Sequence, residues 1–325
     1  STFSIIDKDP RYNELENINK IVNDLECYNE QILLSKKENF LKKMKELIVQ
    51  HDSPISTLSY YIHSFLSEQI SKKGFKVAIS GTGADEIFTG YYEHFHLFFA
   101  SLDQDNINFT DELESWKKNV LPFIRNEKLK KSDLYIKNPK DASTSFNLPN
   151  NLKKIMRNEK KNMFINSDYI PIKDPLKNKL LNELFQEVVP VILRHDDLNS
   201  MNYSIENRSP YLDHNLFEFL FQVPSKHLIK NSYQKRILRD ISKDILVDEV
   251  RTFRQKFGFN ANLNSLVSRD DLINYFLEDI DILEEYIDKD KLIKFLKEEE
   301  NLFEEEKNKF IFSLLSCKIF LELNS

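Results

Sequence analysis

The stretch Lys76–Tyr92, K-V-A-I-S-G-T-G-A-D-E-I-F-T-G-Y-Y, constrains the fold more than any other part of the chain. Val77 to Ile79 is too short an apolar run for a helix and follows Gly74, which closes the preceding helical pattern; length and punctuation predict a buried strand. Ser80 to Gly83 then read as a loop, in which Gly81 and Gly83 let the backbone turn tightly and approach a bound group. Asp85 and Glu86 arrive where a helix begins. A loop at the C-terminal end of a strand is the usual ligand position in an open α/β sheet. The same residues also describe an ordinary strand-to-helix turn whose carboxylates suit the helix dipole, and a lone glycine loop is weak evidence.

The surrounding patterns place this strand in an alternating series. Thr2 to Ile6 reads as a strand, Tyr12 to Glu26 as a helix with Leu15, Ile18, Val22 and Leu25 on one face, and Tyr28 to Leu34 as a second strand. Ser35 with Glu38 forms a capping-box pattern ahead of a helix carrying Leu41, Met44, Leu47 and Ile48. After Pro54 another helix turns Leu58, Tyr61, Ile62, Phe65, Leu66 and Ile70 inward. This β-α-β-α-α-β order predicts a parallel sheet covered by helices. From Glu93 the pattern is helical and polar, with a loop over Asn138 to Asn150. Asp174-Pro175 starts a helix, Pro190 interrupts or kinks it, and the chain closes on a helix from Phe310 to Leu323.

Composition narrows the function classes. With 46 basic and 52 acidic residues among 325, the net charge of -6 offers no general attraction to nucleic acid or an anionic membrane. No apolar run approaches the ~18 residues of a membrane span. Cys27 and Cys317 are few and distant, which suits free thiols in a reducing cytoplasm. His94-x-His96 has the look of a metal pair but no third ligand nearby, and the runs Lys128 to Lys131 and Glu298 to Glu306 read as solvated surface. The chain opens without Met, directly on a strand pattern, as a truncated product would.

Four ordered motifs carry a family resemblance. S-G-T-G-A-D-E-I-F-T-G-Y resembles the S-G-x-G-A-D-E-x-F-x-G-Y block of asparagine synthetases, and R-H-D-D-L-N-S-M-N-Y-S-I-E-N-R-S-P-Y-L-D, Arg194 to Asp213, resembles their D-R-N-S-M-x-x-S-x-E-x-R-x-P-F-L-D block. Lys235 to Arg239 and Arg254 to Phe259 follow in the family's order, the latter similar to R-x-K-x-G-F. The resemblance implies an α/β fold with a parallel doubly wound sheet of the adenine nucleotide α-hydrolase type, followed by a mostly helical part. Residues 1–100 would bind the nucleotide and 101–325 would complete the synthetase site.

The reaction so implied is ATP-dependent amide formation: a carboxylate is activated as an acyl-adenylate, pyrophosphate leaves, and ammonia taken from glutamine displaces AMP. Such chemistry calls for Mg²⁺ and fixed positive donors. By resemblance Ser80, Gly81 and Gly83 lie at the nucleotide, the backbone of Ile5 meets adenine, Lys256 reaches phosphate, and Lys235 steadies the reacting centre. Asp85 would hold Mg²⁺ together with an aspartate of a serine- and glycine-rich loop, S-G-G-x-D-S, a string this sequence does not contain. The strand that leads into that loop lies, in relatives, between the two that Thr2 to Ile6 and Val77 to Ser80 would form, so two strand edges are expected to be exposed. Asp197 and Glu206 are candidates for orienting a substrate amine, and Arg208 is expected to pair structurally with Asp213.

Departures bear on the substrate. Thr82 stands where asparagine synthetases have glutamate and β-lactam-forming relatives have tyrosine; a threonine supplies no carboxylate to deprotonate an ammonium. Leu198 replaces a common arginine and Ser53 a common glutamate. These changes point to a divergent amidotransferase acting on a carboxylate other than aspartate, with a glutaminase domain or upstream segment as partner and a homodimer among the open assemblies. The competing readings are a non-catalytic scaffold that kept the fold, a β-lactam-synthetase-like cyclase and, more weakly, a tRNA-modifying ATP pyrophosphatase.

Overall fold

A helix packed on each strand pair, and no strand joining the pairs, is the arrangement seen in the computed structural model, which describes residues 1–34, 40–102, 107–139, 149–157, 169–258 and 261–325. The N-terminal order is β1 (Thr2–Ile6), α1 (Leu15–Asp24), β2 (Asn29–Leu33), α2 (Phe40–His51), α3 (Leu58–Lys72) and β3 (Val77–Ile79), the alternation expected from the sequence. Helices α4 (Ala84–Phe88), α5 (Tyr92–Ser101), α6 (Ile107–Asn119), α7 (Asn150–Lys153), α8 (Pro175–Asn182) and α9 (Val189–Met201) lead to β4 (Glu206–Arg208). Beyond it come α10 (His214–Gln222), α11 (Arg236–Ile241), α12 (Asp248–Arg251), α13 (Arg269–Leu277), α14 (Lys289–Glu298) and α15 (Glu305–Asn324).

Two parallel pairs replace the expected continuous sheet. β1 runs beside β2 in the register Thr2↔Asn29 to Ile6↔Leu33, and β3 beside β4 from Val77↔Glu206 to Ile79↔Arg208. Among the described residues no strand bridges β1 and β3, so the fold is mixed α/β and rich in helix without a doubly wound sheet. All four described strands are edge strands, and the unpaired sides of β1 and β3 anticipated from the sequence are among them.

The same opening overturns the burial expected for β3. Val77 is 42% exposed and Ile79 76%, because β3 is paired on one side only. α1 has no buried residue and Leu25 is exposed, so its apolar face is only partly covered. α2 and α3 behave as their periodicity requires: Met44, Leu47, Ile48, Leu58, Tyr61, Ile62 and Phe65 are buried. They join Phe276, Leu292, Leu296, Ile311 and Leu315 of α13, α14 and α15 in one core. A second core gathers Phe95, Phe98 and Phe99 of α5 around Trp116 of α6 and Leu176 of α8.

Local chemistry sets several element ends. Asp174 caps α8, its Oδ1 accepting from the amides of Leu176 (3.0 Å) and Lys177 (3.2 Å). A π-helical turn, Glu183–Glu187, precedes α9, with Pro190 in the first turn of that helix. Arg208 pairs with Glu206 at 2.8 Å, and Asp213 instead caps α10 by accepting from the Leu216 amide at 3.0 Å. The expected Arg208–Asp213 pair is thus replaced by a helix cap. The capping box at Ser35 and Glu38, most of the loop after Asn138, and Phe259 lie outside the described residues. Among the described residues no helix is long and apolar enough to cross a membrane.

Candidate active site

The pairing of β3 with β4 brings the two longest motifs side by side. The Ser80 amide donates to the Arg208 carbonyl (2.9 Å), so the strand register continues into the glycine turn. Ser80 Oγ then lies 3.1 Å from Thr82 Oγ1 and 3.2 Å from Ser209 Oγ, stitching the turn to the second motif. Gly83 closes the turn with φ 92°, and a Cβ there would overlap the Leu212 side chain; both facts require glycine. Gly81 has open space where a side chain would stand.

Asp85 lies in the first turn of α4, packed against Gly90 so closely that a Cβ on Gly90 would overlap its carboxylate. Two lysines from the C-terminal part converge on it: Lys235 Nζ lies 2.5 Å from Oδ1, and Lys256 Nζ contacts Oδ2. Burial by itself raises the Asp85 carboxyl, but the ammoniums of Lys256 and Lys235 outweigh it and hold the group well below the usual carboxylate range. Lys235 opens α11 in a left-handed conformation, φ 54°, fixed by its amide donating to the Phe88 carbonyl at 3.1 Å. A non-glycine residue held there stores backbone strain of ~1 kcal/mol, a feature that clusters at functional sites. Lys256 also sits 4.6 Å over the Tyr91 ring.

These groups line one open cavity of about 770 Å³. Lys235, Arg239, Arg254 and Lys256 give the lining a basic face, offset in part by the carboxylates of Glu14, Asp85 and Glu86, while Gly81, Thr82 and Gly83 bring the turn to it and Tyr60 and His63 come from α3. Such a face, fixed before any ligand arrives, suits a polyanion.

Behind Asp85 runs a buried polar network. Tyr91 Oη donates to Glu86 Oε1 (2.5 Å), and burial pushes the Glu86 carboxyl up. His94 Nδ1 accepts from the amides of Gly90 (3.1 Å) and Tyr91 (3.3 Å), which assigns the proton to Nε2, 2.9 Å from Glu183. Lys179 then pairs with Glu187 at 2.5 Å. His96 Nε2 lies 2.9 Å from the Leu129 carbonyl. Both nitrogens of His94 and Nε2 of His96 are thus engaged by protein groups, and the two rings are held in the fold by these bonds.

The sequence-predicted residues divide accordingly. Gly81, Thr82, Gly83, Asp85, Lys235 and Lys256 meet at the cavity, and Ser80 stands one hydroxyl behind it. Ile5 packs against the first core and Asp197 is exposed; neither lines the cavity. Glu206 is also exposed and bonded to Arg208. A divalent ion finds a poor host here: the one carboxylate expected to hold it is occupied by two ammoniums, and among the described residues no three His, Cys, Asp or Glu side chains form a metal site.

The family model for asparagine synthase matches residues 1–322. The chain belongs to the asparagine synthase family. Among curated proteins no match is found. Membership makes this asparagine synthase domain part of an ATP-dependent family of carbon-nitrogen ligases. Sequence reasoning missed His63, which lines the cavity, and Asp196, which is buried behind it. Helical phase held the signal for Asp196: on α9, His195, Asp196, Asn199 and Ser200 form the buried face, and Asp197 is turned outward. His63 carries no spacing signal at all.

Proposed function

We propose that this asparagine synthase domain activates a carboxylate with ATP, releasing pyrophosphate, and then passes the acyl group from AMP to ammonia. The observation supporting this reading is the meeting of Asp85, Lys235 and Lys256 beside the glycine turn in a cavity to which Arg239 and Arg254 add further cations. Adenylation moves negative charge onto the α-phosphate and the departing pyrophosphate. Lys235, Lys256, Arg239 and Arg254 are placed to neutralise it, and Asp85 holds the two lysines in position. Gly81, without a side chain and with space beside it, lets a nucleotide approach the backbone. Glutamine as the source of ammonia is part of the proposal and is inherited from the family.

The test is carboxylate-dependent exchange of labelled pyrophosphate into ATP by the full-length protein, run with Mg²⁺ and a panel of carboxylic acids. Exchange with one acid class confirms adenylation and names the substrate. No exchange with any acid, from a folded sample that binds ATP, refutes the ligase reading in favour of a non-catalytic homologue.

A further inference from the structure

The part of the cavity lining contributed by α3 has its own chemistry. His63, on α3, lines the cavity with its side chain 30% exposed, and its Nδ1 stands 2.9 Å from Oδ1 of Asp196 on α9. Asp196 is buried behind that wall, and its Oδ2 accepts from Thr82 Oγ1 at 3.3 Å. Oδ1 itself receives no well-directed hydrogen bond. A buried carboxylate with one long hydroxyl bond keeps acceptor capacity facing the His63 ring, the polar group at 2.9 Å from its Oδ1. Through Ser80, Thr82 and Asp196 the glycine turn is tied to this imidazole by a chain of polar contacts.

From this arrangement we infer that His63, oriented by Asp196, takes the proton from the amine that attacks the activated carboxyl. The inference rests on the ligase reading above. The nitrogen lone pair forms the C–N bond, the C–O bond to the phosphate of AMP breaks, and AMP leaves with that electron pair. The N–H proton passes to His63 Nε2, the ring nitrogen not directed at Asp196, and the imidazolium stands beside the Asp196 carboxylate until the proton reaches solvent. Tyr60, the neighbouring wall residue, is pushed up to about 12 by burial and then by Asp196, so its phenol stays neutral and does not compete for the proton. Thr82 contributes its hydroxyl to Asp196 and thereby serves as a positioning residue. The carboxylate that the turn itself lacks is supplied from α9.

The decisive experiment compares half-reactions in the full-length protein, using the acid that supports exchange in wild type, with His63→Gln and Asp196→Asn as variants. Ammonium chloride and hydroxylamine serve as alternative nucleophiles, since the nitrogen of hydroxylamine, once bonded to the carbonyl carbon, is the more acidic and gives its proton to water more readily without a positioned base. The expected result is pyrophosphate exchange within about 3-fold of wild type, ammonia-dependent amide formation lowered by about 10² to 10³, and hydroxamate formation lowered by less than about 10-fold. Equal losses in exchange and amide formation, or equal losses with both nucleophiles, overturn the assignment and leave the ligase reading intact. Unchanged amide formation in His63→Gln does the same. Absence of exchange in wild type with every acid overturns both.

Discussion

Lys235 Nζ lies 2.5 Å from Asp85 Oδ1, joining the start of α11 to the first turn of α4 across the cavity. The contact makes the C-terminal helices part of the nucleotide end of the site and carries the first prediction. Lys235→Ala is expected to lower pyrophosphate exchange by about 10² to 10³, the size of effect seen when one fixed donor to developing charge is removed. Its thermal midpoint is expected to move little, because Lys256 still neutralises Asp85 and the strained φ of 54° is no easier or harder for Ala. Exchange kinetics and a thermal melt on the same sample check both halves.

Two glycines separate space from approach. In Gly90→Ala the new methyl overlaps the Asp85 carboxylate, so the carboxylate must leave both lysines and exchange is expected to fall by at least about 10-fold. Gly81→Ala meets nothing in the protein, so stability is expected to stay within about 0.5 kcal/mol while the KM for ATP rises. A Gly81→Ala enzyme with unchanged KM would show that the nucleotide does not pass over the turn.

Acid lability is expected from a buried histidine pair. His195 stacks on Tyr60 at 3.9 Å, and its Nδ1 lies 3.3 Å from Nδ1 of His51. Burial, then the charges of His51 and Arg194, lower His195 from 6.5 to about 4. Between those values the unfolded chain binds a proton that the folded protein refuses, so stability falls as pH drops through that window. The loss from pH 7 to pH 5 is expected to be about 2 kcal/mol, and His195→Gln should flatten it. Urea midpoints at the two pH values decide.

His94 is expected to be worth more to stability than to chemistry. Its removal in His94→Ala leaves two amides and Glu183 without their partner in a fully buried site, a cost of about 2–4 kcal/mol. A denaturant titration without added metal measures it, and an unchanged midpoint would contradict the network.

How much could be read in advance follows from what each signal depends on. Gly83 and Asp85 were legible because turn geometry and helix starts are local, and Lys235 and Lys256 because motif order substitutes for a contact that spacing cannot reveal. The N-terminal alternation of strands and helices was legible for the same local reason. Burial was not: three apolar residues at Val77 to Ile79 look alike whether one or both edges are paired, and only tertiary pairing decides. The choice between Asp196 and Asp197 needed the phase of α9 relative to the cavity, and His63 needed the packing of α3 against α9, which no motif encodes. Ile5 was placed by analogy alone, through its backbone, and the packing of its side chain against the first core has no bearing on that placement.

The unpaired side of β3 has a practical corollary. A row of free amides and carbonyls flanked by Val77 and Ile79 is a ready template for any extended segment that drifts alongside. An extended segment that paired there would run past Ile79 into the Ser80–Gly83 turn and so press directly on the candidate site.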